Sequence, residues 1–202
     1  MATSAVQSAA LRPRAATFIL LTAIAALLLG AGYGDARGKR RHSFHGMRRQ
    51  ELHVYFHDRL NVTDVLVAEH APGPITQTAA PYGSLFCVND HMTVTRDPDS
   101  ALLGHVTGLS TTASFDGVTY FCTFTVSFNT TKPQPGTPAH LSGLDGTINI
   151  FGLVNVIEPK PHAISGGTGS FLMAQGTATI VPIDVRTFKQ IYRLDLDIYM
   201  PA

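Results

Sequence analysis

The 202-residue chain has no tryptophan, only two cysteines, and charged residues amount to just 14% of it. Two cysteines permit at most one intrachain bridge, so no disulfide framework holds this chain together. Cys87 and Cys122 lie in Ser-Leu-Phe-Cys-Val-Asn and Tyr-Phe-Cys-Thr-Phe-Thr, both strand-like. They either pair across a sheet wall or stay as two buried thiols, packed as small hydrophobes. Chemical signatures are equally sparse. No Gly-x-Ser-x-Gly elbow is present, which removes the main sign of a serine hydrolase of the common type. The glycines at 166, 167 and 169 are followed by neither Gly-Lys-Ser/Thr nor a Gly-x-Gly-x-x-Gly continuation, so they lack the marks of a phosphate cradle. The nine histidines are scattered. The nearest pair within one strand, His53 and His57, stands about 13 Å apart along an extended chain, too far to share one ion. No metal site is expected. Helical periodicity is missing too: nowhere does a 3.6-residue apolar repeat last beyond about two turns.

Acidic residues are absent from one stretch in particular. Arg37, Lys39, Arg40, Arg41, Arg48 and Arg49 have no acidic residue among them, whereas from Glu51 onward seven basic residues face thirteen acidic ones, a balance of −6. A body of that sign repels nucleic acid, which needs a basic surface against its phosphates. Residues 37–50 are expected to form a flexible basic arm. Outside a cell, the partner its charge fits is an anionic polysaccharide; the plainer reading is a solvated tail with no partner. Ahead of the arm, Arg12 and Arg14 precede an apolar run from Phe18 to Leu29, and small residues follow at Gly30, Ala31, Gly32, Gly34 and Ala36. Residues 1–36 therefore read as a secretory signal peptide. The run falls short of the roughly 20 residues that span a bilayer, so no membrane anchor is expected.

What the chain does have is period-two alternation. Leu52, Val54, Phe56 and Asp58 share one strand face, with His53, Tyr55 and His57 on the other. Further strands are predicted near Val65–Glu69, Ser84–Asn89, Leu102–Ser114, Val118–Phe128, Gly146–Phe151, Ala163–Ser165 and Gln190–Met200, with Asp116-Gly117 marking a hairpin. The three glycines mark a tight reversal. After it, Phe171, Met173, Gln175, Thr177, Thr179 and Val181 are expected on one face and Leu172, Ala174, Gly176, Ala178 and Ile180 on the other. About eight strands over residues 51–202 fit an all-β, closed antiparallel barrel, which leaves no edge to aggregate; a β-sandwich is the alternative. Asn61-Val-Thr63 and Asn129-Thr-Thr131 are glycosylation sequons.

Asp58 is the candidate for chemistry, because it ends an otherwise apolar inward row. Two readings stand: a rim residue bonded to a neighbouring backbone amide, or a carboxyl in an apolar pocket whose raised pKa lets it exchange a proton with a ligand.

In their order along the chain, Val54-Tyr-Phe-His-Asp58, Gly83-Ser-Leu-Phe86, Leu103-Gly104 through Gly108, Phe124 to Asn129 and Ile164-Ser-Gly-Gly-Thr-Gly-Ser-Phe-Leu-Met-Ala-Gln-Gly176 resemble the plant dirigent proteins over Glu51–Tyr199. The resemblance implies a secreted, glycosylated, eight-stranded barrel, usually trimeric, in the apoplast or cell wall. It implies a protein that captures phenoxy radicals of monolignols, made by a separate laccase or peroxidase, and steers their coupling to lignan-type products without a cofactor of its own. The family's acidic pocket residues exchange protons with a quinone methide, and its His-Asp motif falls on Asp58. Phe56, Ser110 and Thr112 are then expected to contact the substrate, and Asn61 and Asn129 to carry glycans. The chain also departs from the pattern. A second family aspartate is missing at Leu153-Val-Asn155, a basic residue survives only as Lys160, and the Gly-Phe-Tyr segment reads Gly108-Leu109-Ser110. Three functions follow as expectations: a non-oxidising auxiliary of radical coupling, a lyase-like enzyme acting on a phenolic or isoflavonoid, and a wall-associated scaffold without chemistry.

Overall fold

A computed structural model describes residues 46–69, 73, 79–186 and 189–202. The signal peptide and most of the basic arm expected from the sequence lie outside the described residues. The described residues form nine strands: β1 (Met47–Asp58), β2 (Asp64–Ala68), β3 (Leu85–Thr93), β4 (Leu102–Thr112), β5 (Thr119–Asn129), β6 (Asp145–Asn155), β7 (Lys160–Gly167), β8 (Gln175–Arg186) and β9 (Lys189–Pro201). They hydrogen-bond in the order β1-β9-β8-β7-β6-β5-β4-β3-β2, and an additional pairing of β1 with β3 closes the ring. The result is an eight-stranded antiparallel barrel, with β2 as a short extra strand on β3.

Alternation fills the barrel. Leu52, Val54 and Phe56 of β1, Tyr120, Cys122, Phe124, Val126 and Phe128 of β5, and Leu194, Leu196, Ile198 and Met200 of β9 all point inward and are buried. Burying such side chains is worth about 1.5–3 kcal/mol each relative to leaving them exposed, which is why a one-residue slip of register is excluded. One end of the barrel is plugged. Short 3-10 turns at Ala139–Leu141 and Gly169–Phe171 carry Leu141 and Phe171 into that end, and the Phe171 ring meets Phe128 at 4.9 Å between centroids. The other end, where β1 stops at Asp58 and β9 starts at Lys189, holds the cavity described below.

The structure corrects four readings of the sequence. The arm is shorter than expected: β1 begins at Met47, and Arg48 and Arg49 pair with Met200 and Tyr199 of β9, Arg49 reaching Asp197 through Nε at 2.7 Å and Nη2 at 2.8 Å. The reversal after the glycines is longer than a tight turn. Gly166 and Gly167 still belong to β7, and β8 starts only at Gln175, so Phe171 is fully buried while Met173, expected on the same face, is exposed at φ 59°. β3 runs on to Thr93, past the expected end at Asn89. The cysteines face opposite ways, Cys87 exposed and Cys122 buried, and both are free thiols.

Candidate functional site

The site begins with how β1 ends. β1 pairs with the far part of β3 (Phe56 with Met92, His57 with His91), and Asp58 directly follows the last of these pairs on β1 as Asp90 directly precedes it on β3. The chain then makes a compact loop in which the amides of Val62, Thr63 and Asp64 all donate to the Arg59 carbonyl, at 3.0, 2.9 and 3.2 Å. It rejoins β3 as β2, with Asp64 opposite Val88. Since Val88 and Asp90 are buried, inward-facing residues of β3, the loop brings three carboxyls, Asp58, Asp64 and Asp90, onto the inner wall of one seam.

They line a cavity with Phe56, Leu60, Phe86, Val88, Ser110, Tyr120, Cys122, Phe124, Val154, Val156, Ile180, Gln190 and Tyr192. The space between these walls is about 590 Å³ with the open mouth included. Aromatic rings form much of the wall: Phe56 stacks on Tyr192 at 5.0 Å, and Phe86 meets Tyr120 edge-on at 6.2 Å. Among the described residues, no lysine, arginine or histidine lines the cavity.

In this setting burial favours the protonated form of each acid. Burial, followed by the charge of Asp64, pushes Asp58 up to about 8, and burial pushes Asp64 up to about 7. Asp90, 1% exposed, is raised by burial and then by the charge of Asp58, against the opposing hydrogen bond from Thr63. That bond is short: the Thr63 hydroxyl donates to Asp90 Oδ1 at 2.6 Å while accepting from the Arg59 amide at 2.9 Å. Asp90 is thus held in place. Oδ1 of Asp58 and Oδ1 of Asp64 are buried without a hydrogen-bond partner. A buried carboxyl oxygen left unsatisfied costs free energy, and a ligand that supplies a donor or an acceptor recovers it. Tyr120 and Tyr192 are raised above the ordinary tyrosine range by burial and the neighbouring acids, so their phenols remain protonated donors.

The expected contact residues divide. Phe56, Asp58 and Ser110 line the cavity, whereas Thr112 is buried beside its cross-strand partner Tyr120 and does not. Lys160 is not a cavity residue either: it begins β7 with an exposed side chain, 3.9 Å from Glu158. Asn61 and Asn129 are exposed. His57, placed by alternation on the outer face, is nonetheless only 3% exposed and meets Thr93 Oγ1 at 2.7 Å through Nε2. Among the described residues no group of three or more His, Cys, Asp or Glu side chains is arranged to hold a metal ion. The sequence reading missed Asp64 and Asp90. Asp64 directly follows the Asn61-Val-Thr63 sequon, and Asp90 lies beyond the expected end of β3 at Asn89; a longer β3 with strict alternation puts Asp90 inside.

A closed β-barrel with one end plugged and an acidic, aromatic-walled cavity at the other defines a small-molecule-binding barrel. Comparison with known proteins agrees: the family model described as "Dirigent-like protein" matches residues 49–200, and the chain belongs to the dirigent family. It is 29% identical over 152 residues to dirigent protein 23 of Arabidopsis thaliana, covering 71% of this chain and 76% of that protein. It is 31% identical over 142 residues to pterocarpan synthase 1 of Glycine max, covering 66% of this chain and 69% of the relative. The solved structure of a pterocarpan synthase dirigent protein superposes with a TM-score of 0.64 at 25% identity, over 77% of this chain and 97% of that one.

Proposed function

We propose that the cavity binds a phenolic quinone methide, or the phenolic radicals whose coupling forms one, and fixes the face on which the next bond closes while Asp58 exchanges a proton with it. The observation that carries this reading is the pair of unpartnered oxygens on Asp58 and Asp64 inside an apolar cavity. In the step envisaged, a hydroxyl oxygen of the bound molecule attacks the methide carbon. The quinone oxygen takes the proton of Asp58 as the ring becomes a phenol, and the attacking hydroxyl gives its proton to the Asp58 carboxylate so formed, which restores the acid. Electrons balance without an oxidant, so where the substrate starts as a monolignol, oxidation belongs to a separate laccase or peroxidase.

A second reading rests on the likeness to pterocarpan synthases. In it the protein is lyase-like: the Asp58 proton goes to a leaving hydroxyl of a phenolic isoflavonoid alcohol, water departs, the phenol gives its proton back to the Asp58 carboxylate, and the resulting methide closes in the same cavity as the attacking hydroxyl's proton passes to the quinone oxygen. One experiment with two arms separates them. The protein is incubated with coniferyl alcohol and laccase, and separately with a 2′-hydroxyisoflavanol and no oxidase, and products are resolved by chiral chromatography. Enantiomeric excess in the first arm supports steering of coupling, ring closure in the second supports the lyase, and racemic product in the first with no turnover in the second refutes both.

The signal sequence supports secretion to the apoplast, and the exposed sequon residues Asn61 and Asn129 support glycosylation there. A homotrimer is supported by an apolar outer face on β4–β6. Leu109, Phe121, Phe151 and Leu153 are each about half exposed, and the register brings them together through Leu109–Thr123–Phe151 and Thr111–Phe121–Leu153.

A further inference from the structure

Outside the cavity, the outer wall carries a row of three histidines. The register sets His57 of β1 opposite His91 of β3, and His91 opposite His105 of β4. His57 is committed to Thr93 through Nε2 at 2.7 Å. His91 and His105 are not. His91 is exposed, His105 is partly exposed, and Nδ1 of His105 is buried without a hydrogen-bond partner.

We propose that His91 and His105 form a two-histidine chelate for a borderline divalent cation, Zn2+ or Cu2+, on the outer face of the β3–β4 pair. Geometry carries the assignment. A bond of about 2.05 Å from ion to imidazole nitrogen, plus about 1.2 Å from that nitrogen to the ring centre, puts the ion about 3.2 Å from each centroid. Two rings on one ion then stand about 4.6 Å apart at a square-planar right angle and about 5.3 Å apart at a tetrahedral angle. The His91 and His105 centroids are 5.0 Å apart, between those limits. Their planes meet at 87°, and because His91 is exposed, a rotation of its ring turns a nitrogen toward the site without disturbing the core. Both side chains project from hydrogen-bonded strands, so the pair needs little ordering before it binds.

Among the described residues no third protein ligand stands in place, so the remaining coordination positions fall to water or to a ligand oxygen. The site would bind its ion reversibly, and Cu2+ more tightly than Zn2+. This assignment is independent of the cavity's chemistry and stands or falls separately from it.

The test uses the mature protein, purified without a histidine tag and titrated with zinc chloride by calorimetry. The parent should take up one equivalent that His91→Asn and His105→Asn each weaken by at least about 10-fold, while His53→Asn, on another part of the wall, leaves it unchanged. Zinc should raise the melting temperature of the parent and of His53→Asn but not of the other two variants. If His105→Asn fails to fold, the exposed His91→Asn decides alone. A parent that binds no zinc, or a His91→Asn variant that binds it as tightly as the parent, overturns the site.

Discussion

A carboxyl set among Phe56, Tyr192 and Ile180 and given no hydrogen-bond donor for Oδ1 keeps its proton to unusually high pH. This has a consequence for stability whose sign is fixed. Asp58 and Asp64 titrate at about 8 and about 7 in the fold, against an ordinary 3.8. Between those values the folded protein binds more protons than the unfolded chain, so stability is full below about pH 4 and falls as pH rises toward 8. Melting temperature should therefore decline from pH 5 to pH 8, and Asp58→Asn should flatten the decline by raising the melting temperature more at pH 8 than at pH 5. A melting curve equally steep in the variant would show that Asp58 is ordinary. Asp64→Asn should act in the same direction. Asp90→Ala differs, because Asp90 accepts the 2.6 Å bond from Thr63 that ties the β1–β2 loop to β3; it should lower stability by about 1–3 kcal/mol in urea titrations at pH 5.

At the scale of elements, the glycine-rich reversal is a plug for the barrel rather than a site. Gly169 sits at φ +58°, and a Cβ there would meet the Asp145 carbonyl oxygen at 2.2 Å; at Gly167 it would meet the carbonyl oxygens of Phe171 and Thr147 at 2.4 and 2.5 Å. Backbone packed that closely seats Phe171 in the barrel end. Gly169→Ala should cost at least about 2 kcal/mol in denaturant unfolding, and Phe171→Ala about 3–5 kcal/mol. Both variants leave the opposite end of the barrel untouched, so ligand affinity should persist wherever the protein remains folded. Alternation made β1, β5 and β9 legible from sequence, since each has one apolar row facing one core. It could not show that β1 and β2 pair with successive parts of the same β3, because register between distant strands is a tertiary fact. For that reason Asp58 was visible at the end of its row, whereas Asp64 and Asp90 became site residues only once the barrel closed. His57 shows the converse: its outer-face position was legible, but its burial beside Thr93 depended on the path of the chain after β3.

At the scale of the whole molecule, the barrel presents an acidic cavity at one end and an apolar patch on its side. If Leu109, Phe121, Phe151 and Leu153 meet a second copy, light scattering after size exclusion should give a trimer mass, and Phe121→Lys combined with Leu153→Lys should give a monomer with an unchanged far-ultraviolet circular dichroism spectrum. A parent that elutes as a monomer at all accessible concentrations would remove that assembly from the account. The central claim is that the cavity acids act on a bound phenolic by proton exchange, and the most direct measurement compares the parent with Asp58→Asn in the substrate arm where the parent is active. Asparagine keeps the shape and polarity of the side chain and removes its proton chemistry. The account predicts that enantiomeric excess or turnover falls by about 100-fold or more while the variant stays folded and binds the product with near-parent affinity. Unchanged selectivity and rate in a folded Asp58→Asn protein would contradict it.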